Sequence, residues 1–143
     1  MTDAILVLAK LTTLREHLAR MERRRPETFE AFETDVDRQD ALALSLPVAL
    51  QEAADIALHM AADEGWGVAS SYAESFELLA KAGAISRDLA GKMAAIASLR
   101  NRVAHGYASV DAARIWREAP EGVETMRQYA AAIAAWIDPP GPP

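Results

Sequence analysis

Apolar residues recur every three or four positions along most of this chain, and the interruptions between those stretches outline a set of helices. Ile5, Leu8, Leu11 with Thr12, Leu18 and Met21 predict a first helix from about Thr2 to Arg23. Arg23-Arg24-Arg25-Pro26 ends it, and Pro26 suits the first position of the next segment, where its missing N–H is not needed. A short helix through Phe29 and Phe32 follows. Asp35 to Asp40 then lead into a long helix reaching about Ala62, with Leu42, Leu46, Ala49, Ala53, Ile56 and Met60 on one face. Pro47 lies inside that helix, and the pattern continues on both sides, so a kink is expected there and not a stop.

Glu64-Gly65-Trp66-Gly67 reads as a loop. Ser71-Tyr72-Ala73-Glu74 is a capping box opening a helix through Phe76 and Leu79, which Gly83 closes. Ser86 caps the next helix, and Asp88 complements its dipole. Met93, Ile96, Leu99 or Arg100, and Val103 carry this helix onward, with Gly106 as its terminator. A short helix from about Asp111 to Glu118 is expected to stop at Pro120. A last helix runs from about Glu121 to Ile137. The tail, residues 138–143, is rich in proline and is expected to be disordered. The expectation is an all-α, up-and-down bundle of four main helices with additional short ones, forming one domain over residues 1–137.

Composition agrees with that reading. At 143 residues the chain suits one domain, able to bury roughly 68–70% of its unfolded surface. Hydrophobic residues make up 51% and charged residues 25%, the balance of a soluble globular protein. With no Cys there is neither a disulfide framework nor a thiolate metal site. No basic leader and no uninterrupted apolar run of about 18–20 residues is evident, so a cytoplasmic protein without membrane association is expected. The net charge of −6 argues against a general nucleic-acid coat. Its distribution changes the picture: between Lys81 and His105, five cations (Lys81, Arg87, Lys92, Arg100, Arg102) face the single anion Asp88.

That basic stretch ends in the most informative segment of the chain, Arg100-Asn101-Arg102-Val103-Ala104-His105-Gly106-Tyr107. A guanidinium clamps a phosphate bidentately. An imidazole, with an ordinary pKa of about 6.5, gives or takes a proton near neutral pH. These are the two groups needed to cut RNA without a metal. Asn101 and His105 are four apart and share a helical face. Arg100 and His105 are five apart, about 140° around the axis. One helix therefore surrounds a phosphate poorly. Two such helices meeting across a two-fold axis would supply two Arg and two His, one imidazole as base for the 2′-OH and the other as acid for the leaving 5′-oxygen.

The pattern Arg-x4-His-x-Tyr, with Asn directly after the Arg, resembles the signature of HEPN-domain ribonucleases of the HepT toxin type. The resemblance extends to Asp37–His59 and to Ser71–Leu79, the stretch before the motif helix. It implies a HEPN homodimer acting as the toxin of a toxin–antitoxin pair on RNA, with Arg100, Asn101 and His105 as catalytic residues and no cofactor or metal. It also implies an MntA-like nucleotidyltransferase antitoxin that attaches AMP to the motif tyrosine, Tyr107 here. The competing reading is a catalytically silent HEPN binding module that supports a nucleotidyltransferase. Intact Arg100 and His105 favour the nuclease, because a scaffold has no chemical need for them.

Other candidates have plainer readings. Asp55 and His59 have metal-ligand spacing, but without a third ligand a structural contact is expected. Trp66, Trp116 and Trp136 are too dispersed for a base-stacking platform and suit packing instead. Arg23-Arg24-Arg25 suits a solvated helix end.

Overall fold

The computed structural model describes residues 1–105, 112–139 and 141, and for 101–105 the backbone alone. Among the described residues there are six helices and no strand: α1 (Ala4–Arg24), α2 (Phe29–Glu33), α3 (Val36–Glu64), α4 (Tyr72–Lys81), α5 (Arg87–His105) and α6 (Ala112–Ile137). Four are long, as the periodicity predicts, and α2 and α4 are short.

Their starts are fixed by side-chain caps, which satisfy backbone N–H groups that the first turn leaves unpaired. Asp3, Thr28, Asp35 and Ser71 each accept from the amide three residues on. Ser86 does the same for Leu89 at 3.0 Å. Thr28, not Pro26, therefore opens α2. Gly65 ends α3 at φ 73°, a left-handed conformation that glycine adopts without a Cβ clash. The capping box at α4 is not reciprocal. Ser71 accepts from the Glu74 amide, but the Glu74 carboxylate takes both the amide and the hydroxyl of Ser70.

Two positions in the first helix are out of phase with expectation. Ile5 and Leu8 are exposed, and the buried stripe is Val7, Leu11, Leu14, Leu18 and Met21. This set keeps the heptad-like 4-3-4-3 spacing that follows one helix face. On α3 the predicted face holds: Leu42, Ala49, Ala53, Ile56 and Met60 are buried, with Leu46 at its edge. By length and composition α3 could cross a membrane. Its apolar face is instead the floor of the bundle core, against α1 and α4. All six helices contribute to one hydrophobic cluster, with Phe32, Phe76, Met93 and Tyr129 among its largest members. Thr2 ties the start of α1 to the end of α3 through the Glu64 carboxylate, so the two helices run antiparallel.

Contrary to expectation, Pro120 does not end a helix: α6 runs unbroken from Ala112 to Ile137 with Pro120 inside it. A proline removes the amide that would bond to the carbonyl four residues earlier, here Trp116. In this fold the Arg25 Nε donates to that carbonyl at 2.6 Å, so the lost helical bond is replaced. The guanidinium also lies 4.1 Å from the centre of the Trp116 ring, and the indole N–H donates to the Pro26 carbonyl at 2.9 Å. Arg25 thus serves structure, not a solvated helix end. Gly106 lies outside the described residues, as do Pro140, Pro142 and Pro143 of the proline-rich tail.

Candidate functional site

The helix that carries the motif is built for continuity. Ser86 caps it, Asp88 pairs with Lys92 at 3.3 Å across one turn, and Leu89, Ala90, Met93 and Ala97 bury its inner face. The backbone remains helical through His105, so positions 100, 101 and 105 occupy the final turn and a half. The side chains of Asn101 and His105, and the whole of Tyr107, lie outside the described residues.

Arg100 is half-buried and turned towards α4. Its guanidinium carbon lies 5.5 Å from the centre of the Tyr72 ring, on the first residue of α4. That helix start is firmly held. The Ser75 hydroxyl, buried, donates to the Tyr72 carbonyl at 2.6 Å. Hydrogen bonds from Ser70 hold the Glu74 carboxyl below the ordinary glutamate range. Of the two alternatives for the apolar stripe, Leu99 takes the other side of α5. With Ile96 it lines a cavity of about 270 Å³ between α3, α5 and α6. At the rim of that cavity the Arg114 Nε donates to both carboxylate oxygens of Glu118 at 3.2 Å.

A third face of α5 looks outward. Gly91, Ala95 and Ser98 follow one another at spacings of four and three, all small and all exposed. A Cβ added at Gly91 would meet nothing within 4 Å. Just before the motif, α5 therefore presents a low ridge that another helix could approach closely.

The remaining candidates take structural roles or none. His59 is exposed, and among the described residues no hydrogen bond or ion pair joins it to Asp55; the expected structural contact does not form. No group of three metal-binding side chains is found among the described residues. The tryptophans pack, as expected, though two of them meet: Trp66 and Trp136 stack edge to face at 5.3 Å, and Trp116 lies against Phe29. The residue that sequence reading missed is Tyr72. It stood there only as the second member of a capping box, 28 positions before Arg100, and no spacing rule links the two.

Residues 14–133 match the family described as ribonuclease HepT-like. An mRNA nuclease HepT from Shewanella oneidensis is 24% identical over 130 residues, covering 91% of this chain and 97% of that protein. The tri-AMPylated Shewanella oneidensis HEPN toxin, solved in complex with its MNT antitoxin, shares the fold with a TM-score of 0.84. The match has 24% identity and covers 94% of this chain and 99% of that one. YutE from Bacillus subtilis, a cytosolic protein of unknown function, matches with a TM-score of 0.80 at 12% identity, covering 96% and 92%.

Proposed function

This chain belongs to the ribonuclease HepT-like family, and from that premise we propose that it is a metal-independent endoribonuclease, the toxin of a toxin–antitoxin pair. The observation that carries the proposal is the family match across residues 14–133, which takes in Arg100, Asn101 and His105 on the unbroken last turns of α5. One HEPN-like domain over residues 1–137 forms the catalytic unit, and the protein acts in the cytoplasm. Two copies associate so that their α5 ends face one another, and the exposed Gly91, Ala95 and Ser98 ridge supports that close approach.

In the resulting cleft one His105 removes the ribose 2′-OH proton. The 2′-oxygen attacks phosphorus, the P–O5′ bond breaks, and the second His105 protonates the leaving 5′-oxygen. Arg100 stabilises the charge that grows on the non-bridging oxygens. Asn101, on the His105 face of the helix, belongs to the same set. The products are a 2′,3′-cyclic phosphate and a 5′-OH, and DNA, which lacks the attacking hydroxyl, is not cut.

The partner is an MntA-like nucleotidyltransferase antitoxin, as the Shewanella oneidensis HEPN toxin is found with an MNT antitoxin and carries AMP. Tyr107, two residues past His105, is the acceptor. Its AMP phosphate would compete with the RNA backbone for Arg100 and His105. The test is RNA cleavage by the purified protein in EDTA, before and after incubation with the antitoxin, ATP and Mg²⁺. Cleavage should survive EDTA, fall at least a hundredfold in Arg100→Ala, as for loss of a charge-stabilising group, and in His105→Ala, as for loss of a general acid–base group, and cease as Tyr107 gains the mass of AMP. A strict divalent-ion requirement, or unimpaired cleavage by folded His105→Ala, would overturn this mechanism, and no cleavage at all by the folded protein would leave the silent binding module. Silencing without a mass change on Tyr107 would leave steric inhibition by the antitoxin.

A further inference from the structure

Arg100 is not oriented by its own helix alone. The 5.5 Å from its guanidinium carbon to the Tyr72 ring centre lies within the roughly 6 Å over which an aromatic face attracts a cation. The ring is itself fixed. Tyr72 is half-buried and packs against the hydrophobic cluster. Its backbone sits at a helix start held by the Ser71 cap and by the Ser75 hydroxyl on the Tyr72 carbonyl. A long arginine side chain loses rotamer freedom when it closes on a phosphate. If a rigid ring has already narrowed its positions, that loss is taken at folding and not at binding. The ring engages the flat face of the guanidinium, whereas phosphoryl oxygens are recognised through its N–H edge, so the two contacts use different parts of the group.

We propose that Tyr72 is a positioning residue for Arg100, its ring face seating the guanidinium beside the scissile phosphate. This rests on the reading of Arg100 as the group that stabilises phosphoryl charge. The ring performs the task and the phenol hydroxyl does not, because the attraction belongs to the π face. Because Arg100 acts on charge that develops in the transition state, the effect belongs in kcat and not in KM.

The experiment measures cleavage of a defined RNA oligonucleotide by the purified full chain in EDTA, with folding checked by circular dichroism and thermal melting. Tyr72→Leu should lower kcat roughly three- to tenfold, the range of a partly desolvated cation–π contact, with KM within twofold of wild type. Tyr72→Phe, which keeps the ring, should restore the rate. In an Arg100→Gln background Tyr72→Leu should cost nothing further in the residual rate. If Tyr72→Leu does not fold, Tyr72→Met takes its place. A folded ring-less variant with wild-type kcat would overturn the proposal, and so would an equal loss in the Arg100→Gln background, which would mark a general packing role. If Arg100→Gln itself cleaves like wild type, the assignment of Arg100 fails first, and the role of Tyr72 falls with it.

Discussion

At the scale of single residues, the buried phenol of Tyr129 shows how one polar atom is accommodated in an apolar core. Its ring is fully buried, stacks edge to face on Phe76 at 5.5 Å, and its hydroxyl donates to the Ala53 carbonyl at 2.6 Å. Burial pushes its pKa far above the ordinary tyrosine range, so the neutral donor persists throughout the folded state. The Ala53 carbonyl lies inside α3 and keeps its helical partner when the phenol is removed. Tyr129→Phe should therefore cost only about 1 kcal/mol in urea unfolding, with RNA cleavage unchanged. The pH dependence is sharper. An unfolded tyrosine ionises near pH 10 while the buried one stays protonated, so stability is present below about pH 10 and falls as pH rises beyond it. Denaturant midpoints between neutral and strongly alkaline pH should show this fall in the wild type and a shallower one in Tyr129→Phe.

At the scale of elements, α6 illustrates a helix kept whole by a neighbour. Pro120 leaves the Trp116 carbonyl without its helical amide, and Arg25, at the end of α1, supplies the missing donor while covering the indole ring. Arg25→Ala should destabilise by roughly 1–3 kcal/mol, the cost of an unmatched, partly buried carbonyl together with the lost stacking. In the background of Pro120→Ala, where the new amide can bond to the Trp116 carbonyl, the same substitution should cost measurably less. A double-mutant cycle in thermal or urea unfolding reads that coupling. Strict additivity would mean that Arg25 does not compensate for the proline.

At the scale of the whole molecule, the proposed reaction requires a second copy, because one α5 cannot present two imidazoles to one phosphate. A Cβ at Gly91 meets nothing within 4 Å in the single chain, and replacing a mid-helix glycine should strengthen the helix by a few tenths to about 1 kcal/mol. Leucine there would nevertheless raise the low ridge at which a second helix approaches. Gly91→Leu should therefore melt no lower than wild type, run as a single chain in light scattering, and lose RNA cleavage. A Gly91→Leu protein that stays dimeric and active would place the contact on another face. The acidic net charge of −6 adds that RNA binding should depend on a few local cations. The salt dependence of its affinity should accordingly be shallow compared with that of a strongly basic RNA-binding protein.

The sequence by itself determined the helical class and nearly all element positions, since apolar periodicity and Ser, Thr, Asp and Gly at the helix ends are local signals. It also singled out Arg100, Asn101, His105 and Tyr107, because that octapeptide combines a cation, an imidazole and a phenol at tight spacing. Tertiary structure alone decided three things. It set the phase of α1, where Val7 and Leu14 enter the core and Ile5 and Leu8 do not: several apolar residues fit the helical period, and only the neighbouring α3 and α6 select which face is covered. It let α6 pass through Pro120, because the compensating donor comes from Arg25, 91 positions from the carbonyl it serves. It brought Tyr72 to Arg100, a pairing set by how α4 packs on α5. In each case the deciding partner is distant in sequence, so no local pattern encodes it.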